Sequence, residues 1–295
     1  MNSLVALIKR EYLEHRGAFL YAPAVILIVL TVILIGSLFS NRFHMAYEVG
    51  APSALKFFEV GFLGVSMLWA IYLLAALFFY YADAFSADRR NNAMLFWKSM
   101  PVTDFKVLAS KMLAGMTILP ALIYGALLLT AVLIYFTALA GTLVLPQLAL
   151  PGILEFVSSA VQIAGYVLVA LVLALLWYAP FFAWVGALST VFRRWSIPLA
   201  FLIPGLVGLA ENLVLDNAGG PRGGYVLDFL RRRFHFGPDE RDLMPTIFAD
   251  GPFNATTMIG RLVAGIDWSQ MVGGLIVASL LVYAASEYRR RSLAT

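Results

Sequence analysis

The sequence predicts an all-α membrane protein with six transmembrane helices, and three observations point there. Hydrophobic residues make up 61% of the 295 and charged residues only 13%, about half the charged share of an ordinary soluble chain; the mean hydropathy is +0.85. Six apolar stretches lie at about 19–40, 59–82, 114–140, 158–190, 197–215 and 269–286, each near or above the roughly 20 residues needed to cross ~30 Å of hydrocarbon. None shows the two-residue alternation of a membrane β-barrel strand. The whole chain, 1–295, reads as one transmembrane domain.

Residues 2–17, "NSLVALIKREYLEHRG", place Leu4, Val5, Ile8, Tyr12 and Leu13 at helical spacing among Lys9, Arg10, Glu11, Glu14 and Arg16. That pattern predicts an amphipathic helix lying in the membrane interface, with Gly17 and Pro23 permitting the turn into the bilayer. The run from Phe19 to Phe39 is too long for the apolar core of a signal peptide, so it is expected to be a retained first span. Pro180 divides the fourth stretch, whose 33 residues would reach about 50 Å as one helix. A kink there is expected, or a helix that runs on past the membrane surface. Pro198 and Pro204 interrupt the fifth.

Six spans put both termini on one side. The segments 1–18, 83–113, 191–196 and 287–295 would share that side, and they carry 13 of the 21 basic residues, among them Lys9, Arg10, Arg89, Arg90, Lys98, Lys111, Arg193, Arg194 and Arg289. Excess Lys and Arg marks the cytoplasmic side, so both termini are expected in the cytoplasm, in a multi-pass plasma (inner) membrane protein. The net charge of +4 then records topology, and no nucleic-acid partner is implied.

The segment 83–113 is the one sizeable connection on that side. It starts polar (Asp83, Asp88, Arg89, Arg90, Asn91, Asn92), crosses an apolar patch ending in Phe96 and Trp97, and breaks at Pro101. Thr103 or Asp104 is placed to cap a new helix over 104–113. Two short helices joined at a proline make a knob with an aromatic tip. Such a tip suits docking into a groove on another protein, and equally suits anchoring in the lipid interface, where Trp is common.

The segment 216–268 on the other side contains "YVLDFLRRRFHF" (225–236), a candidate short helix with Arg231, Arg232 and Arg233 at its C-terminal end, where the helix dipole favours cations. Residues 253–268 are weakly amphipathic. Such a segment could fold back over the bundle.

Several chemistries lack their residues. The chain has no cysteine and only three scattered histidines, His15, His44 and His235, so no thiolate site is possible and no metal centre is expected. There is no G-x-x-x-x-G-K-[ST] phosphate loop, no H-E-x-x-H, no G-x-S-x-G and no pair of intramembrane aspartates. Glu211, followed by Asn212, is the main ionisable residue within the apolar stretches. It reads either as part of a translocation path or as a solvated interfacial group. Gln162, Ser66, Thr130 and Ser189 are milder polar points that could bond between helices.

The stretch "DRRNNAMLFWKSMPVTDFKVLASK" (88–111) resembles the first cytoplasmic loop of the permease subunits of type 2 ATP-binding-cassette exporters. There a charged start leads through a short helix to a P-[VS]-[ST] turn and a lysine opening the third span. "LIKREYLEHR" (7–16) is similar to that family's N-terminal lead. The resemblance implies a homodimeric or heterodimeric pair of permease chains working with two copies of a separate ATPase that binds ATP and Mg, while this chain itself holds no cofactor. It implies that the loop is a coupling helix, with Asp88, Arg89, Arg90, Phe96, Trp97, Lys98 and Pro101 at the ATPase contact. Lys9, Arg10 and Tyr12 of the interfacial helix would brace it, and the segment before the last span would form re-entrant outer helices. Two other readings remain from the residues alone: a membrane-embedded enzyme acting on lipid-linked substrates, and a scaffold that docks a cytoplasmic partner without transport.

Overall fold

A computed structural model describes residues 3–38, 54–90, 103–144, 152–215, 224–237 and 252–291. About 94% of them are helical and none is in a strand. Among the described residues ten α-helices follow in order: α1 (Ser3–Glu14), α2 (Ala22–Leu38), α3 (Ala54–Arg90), α4 (Asp104–Met116), α5 (Ile118–Val144), α6 (Ile153–Phe192), α7 (Ser196–Leu215), α8 (Gly224–Phe234), α9 (Ala255–Ala264) and α10 (Trp268–Arg291).

Five segments among these are long and apolar enough to cross a membrane: Gly17–Gly36, Phe58–Asp88, Asp104–Ala140, Ile153–Val214 and Trp268–Arg291. The protein is an all-α membrane protein. Its surface agrees with that environment: Val25, Ile28, Val29 and Val32 of α2 and Leu206, Leu209 and Leu213 of α7 are all exposed. In water such continuous apolar surface is a liability, whereas lipid wets it.

The core follows the helical stripes of α3 and α6. Phe62, Leu73, Leu77, Tyr81 and Phe85 of α3 are buried against α6, which contributes Ile163, Leu175, Phe182 and Val185. Along its length α6 packs on α3 and on α10, and so forms the centre of the bundle. It remains one helix of 40 residues through Pro180. The proline does not end the helix, so the fourth stretch is a single helical element.

Two junctions differ from a plain reading of the breakers. At Gly17 the chain does not turn sharply; Gly17–Tyr21 is a π-helical turn in which the Ala22 N–H donates to Gly17 O. One wide turn re-aims the chain without breaking the helix. The 62-residue apolar segment Ile153–Val214 reverses at a 3₁₀ turn, Arg193–Trp195, after which α7 packs back on α6. Arg193 has φ 49, a left-handed value that costs a branched-free but bulky side chain roughly 1–3 kcal/mol.

Candidate functional site

Charged side chains collect at both ends of the bundle. At the end that holds the first and last helices, three elements converge on Asp88, in the last turn of α3. Arg289 of α10 donates from Nη1 to Asp88 Oδ2 at 2.9 Å, and its Nε pairs with Asp104 at the start of α4 at 3.0 Å. Lys111 of α4 lies 3.6 Å from Asp88 and 3.1 Å from Glu11 of α1. Arg10 of α1 reaches Asp88 at 3.7 Å and Glu14 at 2.7 Å. The Tyr80 hydroxyl sits between Glu11 Oε2 and Lys111 O, 3.1 Å from each.

Asp88, Lys111 and Arg289 are each 1% exposed and Glu11 is 2% exposed. Isolated charges so deep would be prohibitive. Here the three buried charges Asp88, Lys111 and Arg289 and the buried Glu11 each face an opposite charge, with Asp104, Arg10 and Glu14 at the edge of the cluster. Glu11, Glu14 and His15 bring ligand atoms within 4.8 Å of one another, a spacing that could hold a cation. The two carboxylates already face Lys111 and Arg10, however, which leaves little charge to attract a metal.

This cluster lies at the base of the segment 91–102. Asp88 stands two residues before α3 ends at Arg90, and Asp104 opens α4 behind Thr103, whose hydroxyl accepts from the Lys106 N–H at 3.3 Å. Asp88 turns into the bundle. Arg89 and Arg90 close α3; Phe96, Trp97, Lys98 and Pro101 lie outside the described residues. On α1, Lys9 is exposed, while Arg10 and Tyr12 are half-buried. The face of α1 against the protein is Leu7 and Glu11, one turn apart.

The far end works differently. Arg233, the last of the three arginines, is fully buried at the end of α8. It donates to Gln270 O at 2.7 Å and Trp177 O at 2.8 Å, and lies 4.2 Å over the Trp177 ring. The Trp177 indole donates back to Arg233 O at 2.7 Å. Gly274 makes room: a β-carbon there would overlap the Arg233 guanidinium. Arg231 is exposed, and Arg232 pairs with Asp228 on the surface. Along α6 and α10, Trp177 and Gly274 each stand 15 residues from Phe192 and Arg289, or about 22 Å. Thus the end of α8, which packs beside α7, lies about 22 Å along the bundle from the level of Phe192 and Arg289.

Glu211 is half-buried and accepts from the Val226 N–H at 2.8 Å, which caps the start of α8; Asn212 is exposed. Glu59 of α3, 1% exposed, accepts from the Ser159 hydroxyl at 2.5 Å and the Phe253 N–H at 2.9 Å, with Lys56 3.4 Å away. Gln162 accepts from the Ala255 N–H at 3.3 Å, while Thr130 takes the Trp69 indole at 3.0 Å. The short helices expected within 216–268 are present as α8 and α9.

Sequence reasoning missed Glu59, Glu11, Lys111 and Arg289 as structural charges, counting the last two only as markers of sidedness. A signal was there. Arg289 continues the buried stripe Ala278, Val282, Ala285, and Lys111 the stripe Val107, Leu108, Ala114. A charge on the apolar stripe of a helix needs a buried partner.

Fold and clusters together define a multi-pass helical membrane protein braced by charge at both ends. Comparison with family models, with curated proteins and with solved structures returns no match to this chain.

Proposed function

We propose that the chain is the membrane-spanning permease subunit of an ATP-driven exporter of the ATP-binding-cassette type. In this reading α6 and α7 cross separately, giving six spans with both termini in the cytoplasm, and two permease chains share two copies of a separate ATPase that binds ATP and Mg. The chain itself catalyses nothing. The segment 83–113 docks on the ATPase through Phe96 and Trp97, with Arg89, Arg90, Lys98 and Pro101 around them.

The observation that carries the reading is the buried charge cluster at the root of that segment. Because Asp88 and Asp104 flank it and bond to α1, α4 and α10, a displacement of the segment is passed to these three elements through ion pairs as well as along the chain. Asp88 and Arg10 act here as positioning residues. Secondary support comes from α8, which enters beside α7 as a re-entrant helix would, so that Glu211 and Asn212 stand near the turn into it. In this reading the phosphate loop that the sequence lacks is supplied by the partner.

The test is co-purification from native membranes. The wild-type chain should retain a chain bearing a phosphate loop, and Phe96→Ala with Trp97→Ala should weaken retention by about 30-fold with unchanged thermal unfolding. Full retention by the double variant would remove 83–113 as the coupling element. No ATPase on the wild-type chain would remove the permease reading.

A further inference from the structure

A second feature at the terminus-side end is independent of transport. One face of α3 carries two adjoining cavities that share Phe79 and Asp83. The first, about 410 Å³, is almost wholly apolar, walled by Ala18, Phe19, Ala76 and Phe79, with His15 at its rim. Its deep end is closed where the Tyr72 hydroxyl donates to Ala18 O at 2.5 Å. The second, about 370 Å³, is polar on one side, where Arg193 and Arg194 face Ser86. Tyr72, Phe79, Asp83 and Ser86 follow one another at helical spacing, so the two form one groove along the helix.

We propose that this groove binds one glycerophospholipid with a net-anionic headgroup, taken from the leaflet on the terminus side. The polarity runs the right way. Asp83 stands five residues before Asp88 and Tyr72 sixteen, so the apolar half extends about 16 Å deeper along α3 than the carboxylate. An acyl chain lying against Phe79 and Ala76 would leave its phosphate at Arg193 and Arg194. Both arginines are exposed and neither has an ion pair among the described residues. They stand on the reversal between α6 and α7, where Arg193 holds its left-handed backbone. That turn presents two adjacent guanidinium groups to one side of the groove, and a guanidinium fork matches phosphate oxygens.

Asp83 opposes them. Two arginines and one carboxylate leave a lining charge of +1, which favours a headgroup of net charge −1 over a zwitterion. A basic group at a membrane surface contributes about fivefold to the binding of anionic lipid, so the net preference is about fivefold.

Because the chain has no cysteine, Ala75→Cys, in the wall of the first cavity, gives a single site for a fluorophore. The full-length protein is placed in nanodiscs with increasing brominated phosphatidylglycerol or brominated phosphatidylcholine, and quenching is followed. Half-maximal quenching should need about fivefold less of the glycerol lipid. Arg193→Gln with Arg194→Gln should abolish that preference, while Arg193→Lys with Arg194→Lys keeps most of it. A label at Val32→Cys, on the open face of α2, should show no preference. Equal quenching by the two lipids at Ala75→Cys, or a preference that survives the double Gln change, overturns the site. Loss of the preference on adding inorganic phosphate, at ionic strength matched with chloride, also overturns it, because the groove would then take free phosphate instead of lipid.

Discussion

The two ends of the bundle use buried charge in opposite ways. At the terminus side, charged side chains answer charged side chains: Asp88 with Arg289 and Lys111, Lys111 with Glu11, Arg289 with Asp104. At the far end each also answers backbone: Arg233 holds Trp177 O and Gln270 O, Glu59 the Phe253 N–H beside its pairing with Lys56, Glu211 the Val226 N–H. The first pattern ties regular helices to one another through side chains alone. The second seats chain that enters from the side: the Phe253 and Val226 N–H groups would otherwise be orphaned where water is scarce, while Arg233 adds a donor to carbonyls within α6 and α10. One end is therefore a joint between helices, and the other a seat for segments that enter from the side.

The sharpest way to break that comparison is to unbalance the joint. Arg289→Ala takes the closest cation from buried Asp88 and the partner from half-buried Asp104, leaving Lys111 and the more distant Arg10 to compensate. The expected loss is about 3–5 kcal/mol, seen as a fall on the order of 10 °C in apparent Tm. Arg289→Leu with Asp88→Leu should recover much of the loss, because removing both charges also removes their desolvation cost. Additive losses in the double variant would mean the two residues do not act as a pair.

At the seat no such rescue exists, since the partners are backbone. Arg233→Met should remove the hydrogen bonds to Trp177 O and Gln270 O and cost about 1–3 kcal/mol in all, because both carbonyls keep their helical N–H partners. The effect should be local, as faster amide hydrogen exchange over 224–237. Gly274→Ala tests the same seat from the other side by pushing a methyl into the guanidinium. Unchanged exchange in both variants would mean that Arg233 is not what holds α8 down.

Sequence and structure diverged by the same division. The all-helical class, the Thr103 cap and the short helices within 216–268 were legible because each rests on local pattern: apolar length, a capping hydroxyl, helical spacing. The joint was not. Asp88 and Arg289 are 201 residues apart, and Lys111 and Glu11 were indistinguishable from solvated charge until their stripes were known to face inward. Glu59 was hidden for a further reason. It stands at the first turn of an apolar stretch, where a boundary carboxylate looks wetted, and only the return of Phe253 in the fold buries it.

Glu59 and Glu211 both accept from backbone at the seat, yet they differ in burial, which grades the comparison. Glu59→Gln keeps an acceptor for Phe253 and Ser159 but removes the charge facing Lys56, and should cost about 1–2 kcal/mol in unfolding. Glu211→Gln keeps an acceptor for Val226 and loses only its charge at the start of α8, about 0.3–1 kcal/mol. A larger loss for Glu211→Gln than for Glu59→Gln would reverse that ranking.

The smallest effect belongs to Asp267, an exposed carboxylate that caps α10 where the far-end chain re-enters the bundle. It accepts from the Ser269 hydroxyl at 2.6 Å and the Gln270 N–H at 3.1 Å. These two bonds, the hydroxyl first, hold its carboxyl below the usual aspartate value of about 3.9. A folded-state value below the unfolded one means the cap contributes fully above that usual value and is lost as pH falls through the lower, folded one. Asp267→Asn retains an acceptor of equal capping strength, so it should unfold like the wild type at neutral pH. The two should part only in acid, below about pH 4, where the wild type sheds its cap and the asparagine does not. A gap already open at pH 7 would show that the charge of Asp267, set 34 residues from Arg233 in sequence but beside it at the seat, acts on the guanidinium as well as on the helix.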